Sequence, residues 1–183
     1  MSDPDPHTSN APPTGPAFGP VVSSAHLAQG PMPTLSELEF ALTMANHAFQ
    51  RWTVRAMAAA GAPGLSPMEI LIVHQVHHRA RPKTLADLCL VLNIEDTHLA
   101  TYAIKKLAAQ GLVTPGRKGK EKTVAITPLG ADLCSRYAKV REALLLDGLG
   151  PVGGNPAELS RVAALLRAVS GAYDQAARAA AAM

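Results

Sequence analysis

Apolar residues recur along this chain with two periods, and the boundaries between them predict its elements. Leu35, Leu38, Leu42, Ala45, Phe49, Trp52 and Ala56 follow one another at alternating steps of three and four, the stripe of an amphipathic helix. Thr34 with Glu37 three residues on forms a capping box after Pro33, so this first helix is expected from Thr34 to about Ala60, where Gly61, Pro63 and Gly64 break it. Ser66-Pro67-Met68-Glu69 starts a second helix that carries Ile70, Val73 and Val76 inward and ends near His78. Thr84 with Asp87 opens a short third helix bearing Leu85, Leu88 and Leu92, and Asn93 supplies a left-handed stop. Glu95 or Asp96 caps a fourth helix that ends at Gly111.

The period then changes. Leu112-Val113-Thr114 and Thr123-Val124-Ala125-Ile126-Thr127 read as two short strands, with turn residues from Pro115 to Lys120 between them. Thr127-Pro128 caps a fifth helix with Leu129, Leu133, Tyr137, Val140 and Leu144 inward. After a Gly/Pro loop from Gly148 to Gly154, Asn155-Pro156-Ala157-Glu158 starts a sixth helix. Its stripe is Leu159, Val162, Leu166, Val169, Tyr173 and Ala176, and its Ala-rich end is expected to fray.

Helix, turn, helix and basic hairpin follow one another between Thr84 and Pro128 with almost no spare residues. The expected fold is mainly α with a small β-hairpin wing: a winged helix-turn-helix over 63–128. It is flanked by an N-terminal dimerisation helix over 34–62 and C-terminal dimerisation helices over 129–183. Neither end has a second domain to cover its stripe, so part of each is a candidate for isologous pairing with a second copy. Residues 1–33 hold eight of the fifteen prolines without apolar periodicity and read as a disordered tail.

Charge sharpens this picture more through its distribution than its sum. The net charge is +3, which by itself decides little. Between Ser66 and Lys122, however, nine Lys/Arg face five Asp/Glu, and within Leu112 to Pro128 four face one. Stepping 100° per residue along the fourth helix puts Ala100, Ala103, Ile104 and Leu107 on the buried side. His98, Tyr102, Lys105 and Ala109 lie opposite, with Thr101 and Lys106 on the flanks. That outward face fits a major groove about 12 Å wide. His98 and Thr101 are placed for base edges, Tyr102 for a base or a phosphate, and Lys105 and Lys106 for phosphates. Arg117, Lys118, Lys120 and Lys122 crowd the hairpin, where neutralising the DNA backbone gives salt-dependent affinity. Glu95 and Asp96 run against this pattern. They suit the helix dipole as caps, but would repel phosphate at the end of the helix that enters a groove.

Leu85-Ala86-Asp87-Leu88, Ile104-Lys105-Lys106-Leu107 with Gly111-Leu112-Val113, and Ala125-Ile126-Thr127-Pro128-Leu129-Gly130 carry a resemblance to the MarR family of bacterial regulators, over about residues 34–182. The resemblance implies a homodimer whose first and last helices interlock. Its recognition helices would enter successive major grooves of double-stranded DNA, and its wings would reach the minor groove. It further implies a repressor of transcription that releases DNA on binding a small-molecule effector. The wing departs from the family pattern: it reads GRKGKEK over 116–122 where an Asp-x-Arg turn is usual, and Arg117 is the candidate substitute. The Glu95-Asp96-Thr97-His98 opening of the recognition helix is also atypical.

Other chemistry-bearing residues are read more plainly. His47, Arg51, Trp52 and Arg55 sit in the middle of the first helix and form a candidate pocket for an anionic aromatic ligand. His74 and His78 share a helix face with His77 nearby, but two imidazoles are half a tetrahedral shell, so no metal site and no cofactor is expected. Cys89 and Cys134 are read as small buried hydrophobes. Two cysteines in separate helices suit a reducing cytoplasm. No apolar run approaches a membrane span, and no secretory signal is visible. P-loop, GxGxxG, GxSxG and HExxH templates are absent, so no enzyme is expected. Two other classes compete with DNA binding: a winged-helix protein–protein interaction module, and a metal-responsive sensor.

Overall fold

The computed structural model describes residues 19–146, 148–149 and 155–183. The tail before residue 19 and most of the expected loop from Gly148 to Gly154 lie outside the described residues. The chain divides into two compact units, Met1–Gln50 and Arg51–Met183, so the boundary falls inside the first helix.

In the first unit a 3-10 turn, Ala25–Gln29, precedes helix α1, Pro33–Ala59. The Ser36 hydroxyl, buried on α1, donates to the Leu27 carbonyl at 2.6 Å and holds the turn on the helix. Order therefore starts before Thr34. α1 begins with Pro33 in its first turn, where a missing N–H costs nothing, and Thr34 sits inside the helix rather than capping it. Of the apolar stripe in this half of α1, Phe49 is 52% exposed and Leu35 41%, while Leu38 and Leu42 are half-buried.

The second unit contains the rest of α1, α2 (Pro67–His77), β1 (Lys83–Thr84), α3 (Leu85–Val91), α4 (Thr97–Ala109), β2 (Val113–Lys118), β3 (Glu121–Ile126), α5 (Pro128–Arg141), a π-helical turn (Glu142–Leu146) and α6 (Pro156–Ala180). Its core is aliphatic, as the scarcity of aromatics requires. Met57, Ile70, Ile72, Val73, Val76, Leu88, Leu107 and Leu133 are fully buried. Each contributes about 1.5–3 kcal/mol by leaving water. Ser66 and Thr84 form the expected capping boxes with Glu69 and Asp87, Asn93 takes the expected positive φ (51°), and Asp96 rather than Glu95 caps α4.

The sheet departs from expectation in two ways. It has three antiparallel strands, in the order β1-β3-β2, with Lys83 opposite Val124 and Thr84 opposite Thr123. A two-residue strand inside a basic, proline-containing run carries no periodicity to betray it. The hairpin is also longer: Pro115 to Lys118 are strand, and only Gly119 and Lys120 turn. Pro115 is tolerated because β2 is an edge strand. Gly119 has φ +62° at the first turn position alone, the requirement of a II′ turn. Among the described residues, no helix is long and apolar enough to cross a membrane.

Thr127, Pro128 and Gly130 explain why this short run recurs in the pattern. The Thr127 hydroxyl accepts from the Gly130 N–H at 3.0 Å and donates to the Gly111 carbonyl at 2.7 Å, tying the start of α5 to the end of α4. Gly130 passes so close to the residue before β2 that an added Cβ would overlap the Leu112 carbonyl oxygen. Farther along, α5 buries Leu133 and Tyr137, but Leu129 and Leu144, both expected inward, are exposed. Leu144 falls in the π-helical turn, where the register of the stripe slips. No residue of α6 is buried: Leu159, Val162, Leu165, Leu166 and Tyr173 all remain open.

His74 of α2 meets the Tyr137 ring edge-on, with ring centroids 4.6 Å apart, and Trp52 lies beside the Tyr137 hydroxyl. Burial, helped by the neighbouring His77, lowers the His74 imidazole below its ordinary pKa of 6.5. The folded state thus favours neutral His74, and the unfolded chain takes up a proton first as pH falls.

Two outcomes follow. Gly130→Ala should lose about 1–3 kcal/mol in urea unfolding, because backbone must move to admit the methyl group. Stability should decline as pH drops below about 6.5, and His74→Phe should flatten that decline in pH-dependent thermal melts.

Candidate nucleic-acid interface

Helix α4 is seated by its apolar side. Ala100, Ala103, Ile104 and Leu107 are buried, the four residues that helical stepping selects. Tyr102 is 70% exposed, and His98 and Lys105 also face solvent. Thr101 is half-buried, with its hydroxyl donating to the Thr97 carbonyl at 2.8 Å, so only its lone pairs remain for a ligand. The Asp96 carboxylate accepts from the His98 N–H at 2.8 Å, while Glu95 is exposed beside it.

Lys106 behaves differently from its expected role at phosphates. Its ammonium donates to Glu69 Oε2 and to the Gly64 carbonyl, both at 3.0 Å. Glu69 is only 4% exposed, and the same carboxylate oxygen accepts from the Ser66 N–H at 2.8 Å. A buried carboxylate without partners is strongly disfavoured, so Lys106 is held inward. It fixes the last turn of α4 to the start of α2 and leaves Lys105 as the helix's outward cation. No sequence pattern pairs Glu69 with a lysine 37 positions away; the fold alone brings them together.

The wing's cations are divided by the pleat. Arg117 is paired with Lys122 across the hairpin, and Lys118 with Glu121. Directly opposite residues share a face, and successive residues alternate. Arg117 and Lys122 therefore share one face, Lys118 and Glu121 the other, and Lys120 lies in the turn. All four cations are exposed, and among the described residues none has a hydrogen-bond or ion-pair partner. A groove of about 420 Å³ lies between α4 and the wing, with Thr101 and Lys105 on one wall and Arg117 and Lys122 on the other.

The remaining candidates are placed as follows. Arg51 and Arg55 are exposed and Trp52 is half-buried at Tyr137; none of the three lines a described cavity. His47, in the first unit, is exposed. His74 packs on Tyr137 while His78 is exposed, and no group of three metal-binding side chains occurs among the described residues. Cys89 and Cys134 are buried and unpaired, and burial pushes the Cys134 thiol up to about 11. A basic corner that the sequence marks only as Arg79-Ala80-Arg81-Pro82-Lys83 turns out to be tightly folded. Arg79 and Ala80 both take positive φ, 62° and 45°, each at a cost of roughly 1–2 kcal/mol.

A family profile described as a winged helix DNA-binding domain matches residues 65–130. No curated protein sequence matches the chain. Among solved structures, the transcriptional regulator BldR from Sulfolobus solfataricus aligns with a TM-score of 0.62 at 19% identity, over 75% of this chain and 98% of that one. CouR from Rhodococcus jostii, bound to p-coumaroyl-CoA, aligns with a TM-score of 0.62 at 14% identity, over 72% and 90%. A MarR mutant from E. coli complexed with operator DNA aligns with a TM-score of 0.59 at 16% identity, over 76% and 98%. The fold is thus the winged-helix fold of MarR-family transcriptional regulators.

Glu69→Gln and Lys106→Met should each lose roughly 1–3 kcal/mol in denaturant unfolding, since each strands a hydrogen-bonding partner. The double variant should lose less than the sum, because both changes break the same contact.

Proposed function

We propose that the chain is a DNA-binding regulator of transcription of MarR type, working as a homodimer in the bacterial cytoplasm. The observation that carries this reading is the convergence of Thr101 and Lys105 with Arg117 and Lys122 on a single groove. A helix with a polar, cationic outward face and a basic hairpin at its side together match a major groove and the phosphates next to it. In this reading His98, Thr101 and Tyr102 meet base edges, while Lys105 and the wing's Arg117, Lys118, Lys120 and Lys122 neutralise backbone. Lys106 is left out, because its ammonium is already engaged.

The exposed stripes of α1 and α6 are the surfaces through which two copies would pair. Repression, with release by a small ligand, is the mode that MarR-type architecture suggests. The fold's likeness to a MarR mutant complexed with operator DNA and to CouR bound to p-coumaroyl-CoA supports both partners. The reading assigns no catalytic residue, metal or cofactor. A protein–protein interaction module is the second reading. Exposed Glu95 and Asp96 at the start of α4 favour it, together with Leu90 and Leu99 standing open to solvent nearby.

Gel shifts with DNA from upstream of the gene decide between them. Specific binding by folded dimer supports regulation, and failure to bind any fragment at low salt overturns it. Lys118→Ala with Lys120→Ala should weaken binding to all sequences alike and lower the salt slope by roughly one unit per lysine.

A further inference from the structure

A larger cavity lies away from the groove between α4 and the wing. It is a cleft of about 710 Å³, walled by the corner after α2 on one side and by the hairpin on the other. Arg79, Arg81, Lys83, Arg117 and Lys118 line it, against the two carboxylates of Asp87 and Glu121. The cations thus exceed the anions by three. One carboxylate is partly engaged: Asp87 Oδ2 accepts from the Thr84 N–H in the capping box of α3.

Three features distinguish this cleft from an ordinary solvated charge run. Lys83 is 6% exposed, its backbone is fixed opposite Val124 in the sheet, and its charge acts on the Asp87 carboxylate that also lines the cleft. Arg79 and Ala80 hold a left-handed backbone that neither residue prefers, and such strain concentrates where a fold positions ligands. Finally, Arg117 lines both this cleft and the groove beside α4.

We propose that this cleft binds a phosphorylated small molecule carrying about three negative charges, such as a nucleoside diphosphate, and that its occupancy weakens the grip on DNA. The volume suits a ligand of that size. Arginine forks and a lysine point charge are the groups that recognise phosphate. Walls on both sides admit a small anion more readily than a convex duplex. A ligand that engages Arg117 takes it from the groove face, so anion and DNA compete for one guanidinium. Ligand binding stands on the cleft alone; the competition with DNA rests on the function proposed above.

The test uses the full chain and inorganic pyrophosphate at constant ionic strength. Calorimetric titration should show saturable binding. Arg79→Gly removes a cation while relieving the backbone, and Lys83→Met keeps the buried stem; each should weaken binding by about tenfold, as for one lost charge-assisted contact. Pyrophosphate at about the wild-type Kd should weaken wild-type DNA binding in gel shifts, and about tenfold more should be needed for the same effect on Arg79→Gly. Absent binding, or binding indifferent to both substitutions, overturns the site. Pyrophosphate binding without an effect on DNA overturns the competition. Lower DNA affinity and a flatter salt dependence in Arg79→Gly, without pyrophosphate binding, would make the corner a backbone contact and overturn the ligand. Should the chain bind no DNA at all, the titration still reads the cleft by itself.

Discussion

The buried carboxylate of Glu69 closes the first turn of α2 and holds the ammonium of Lys106 on α4. Its desolvation is tolerable only while every partner is present, so the arrangement has little freedom. One charge thereby sets where α2 begins and where the last turn of α4 lies, and the Gly64 carbonyl ties the loop before α2 to the same ammonium. In the function proposed above α4 reads base edges, and that role needs this kind of fixed support, because productive contacts tolerate only small displacements. The tether also decides which lysine of an adjacent pair is available: Lys105 faces out and Lys106 faces in.

A second constraint is the pleat of the wing. Four cations close together in sequence look like one patch, but alternation divides them between two faces. Lys122 turns toward the groove beside α4, Lys118 and Glu121 toward the cleft behind it, and Arg117 lines both. The short strand β1 matters here, because it adds the corner's Lys83 to the sheet and lets Thr84 serve as both a strand residue and the cap of α3. The same hairpin therefore walls two sites of different character.

The stripes on α1 and α6 show how far periodicity reaches. Spacing marked both helices as amphipathic, and both are long and helical. Spacing could not say what would cover them. Trp52, Ala56 and Met57, at the far end of α1, join the core of the second unit, while Phe49 and most of α6 stay open and Val169 is half-buried. In α5 a π-helical turn shifts the stripe and leaves Leu144 exposed, a slip that strict three-four counting does not anticipate.

By itself the sequence determined the local elements and the buried side of α4. Capping boxes, helix breakers and apolar spacing act within a few residues, where the chain's own chemistry decides the outcome. Ser66 with Glu69, Thr84 with Asp87, and the Ala100, Ala103, Ile104 and Leu107 face are all of this kind. Only the tertiary structure decided that Lys106 serves as a strut, that the wing's charges part onto two faces, that β1 exists, and that Lys83 is buried beside a cleft. The parting of the charges follows from the hairpin's register, which the turn fixes; the other three depend on residues far apart in sequence meeting across packed elements, where desolvation and pairing in the folded chain settle the outcome.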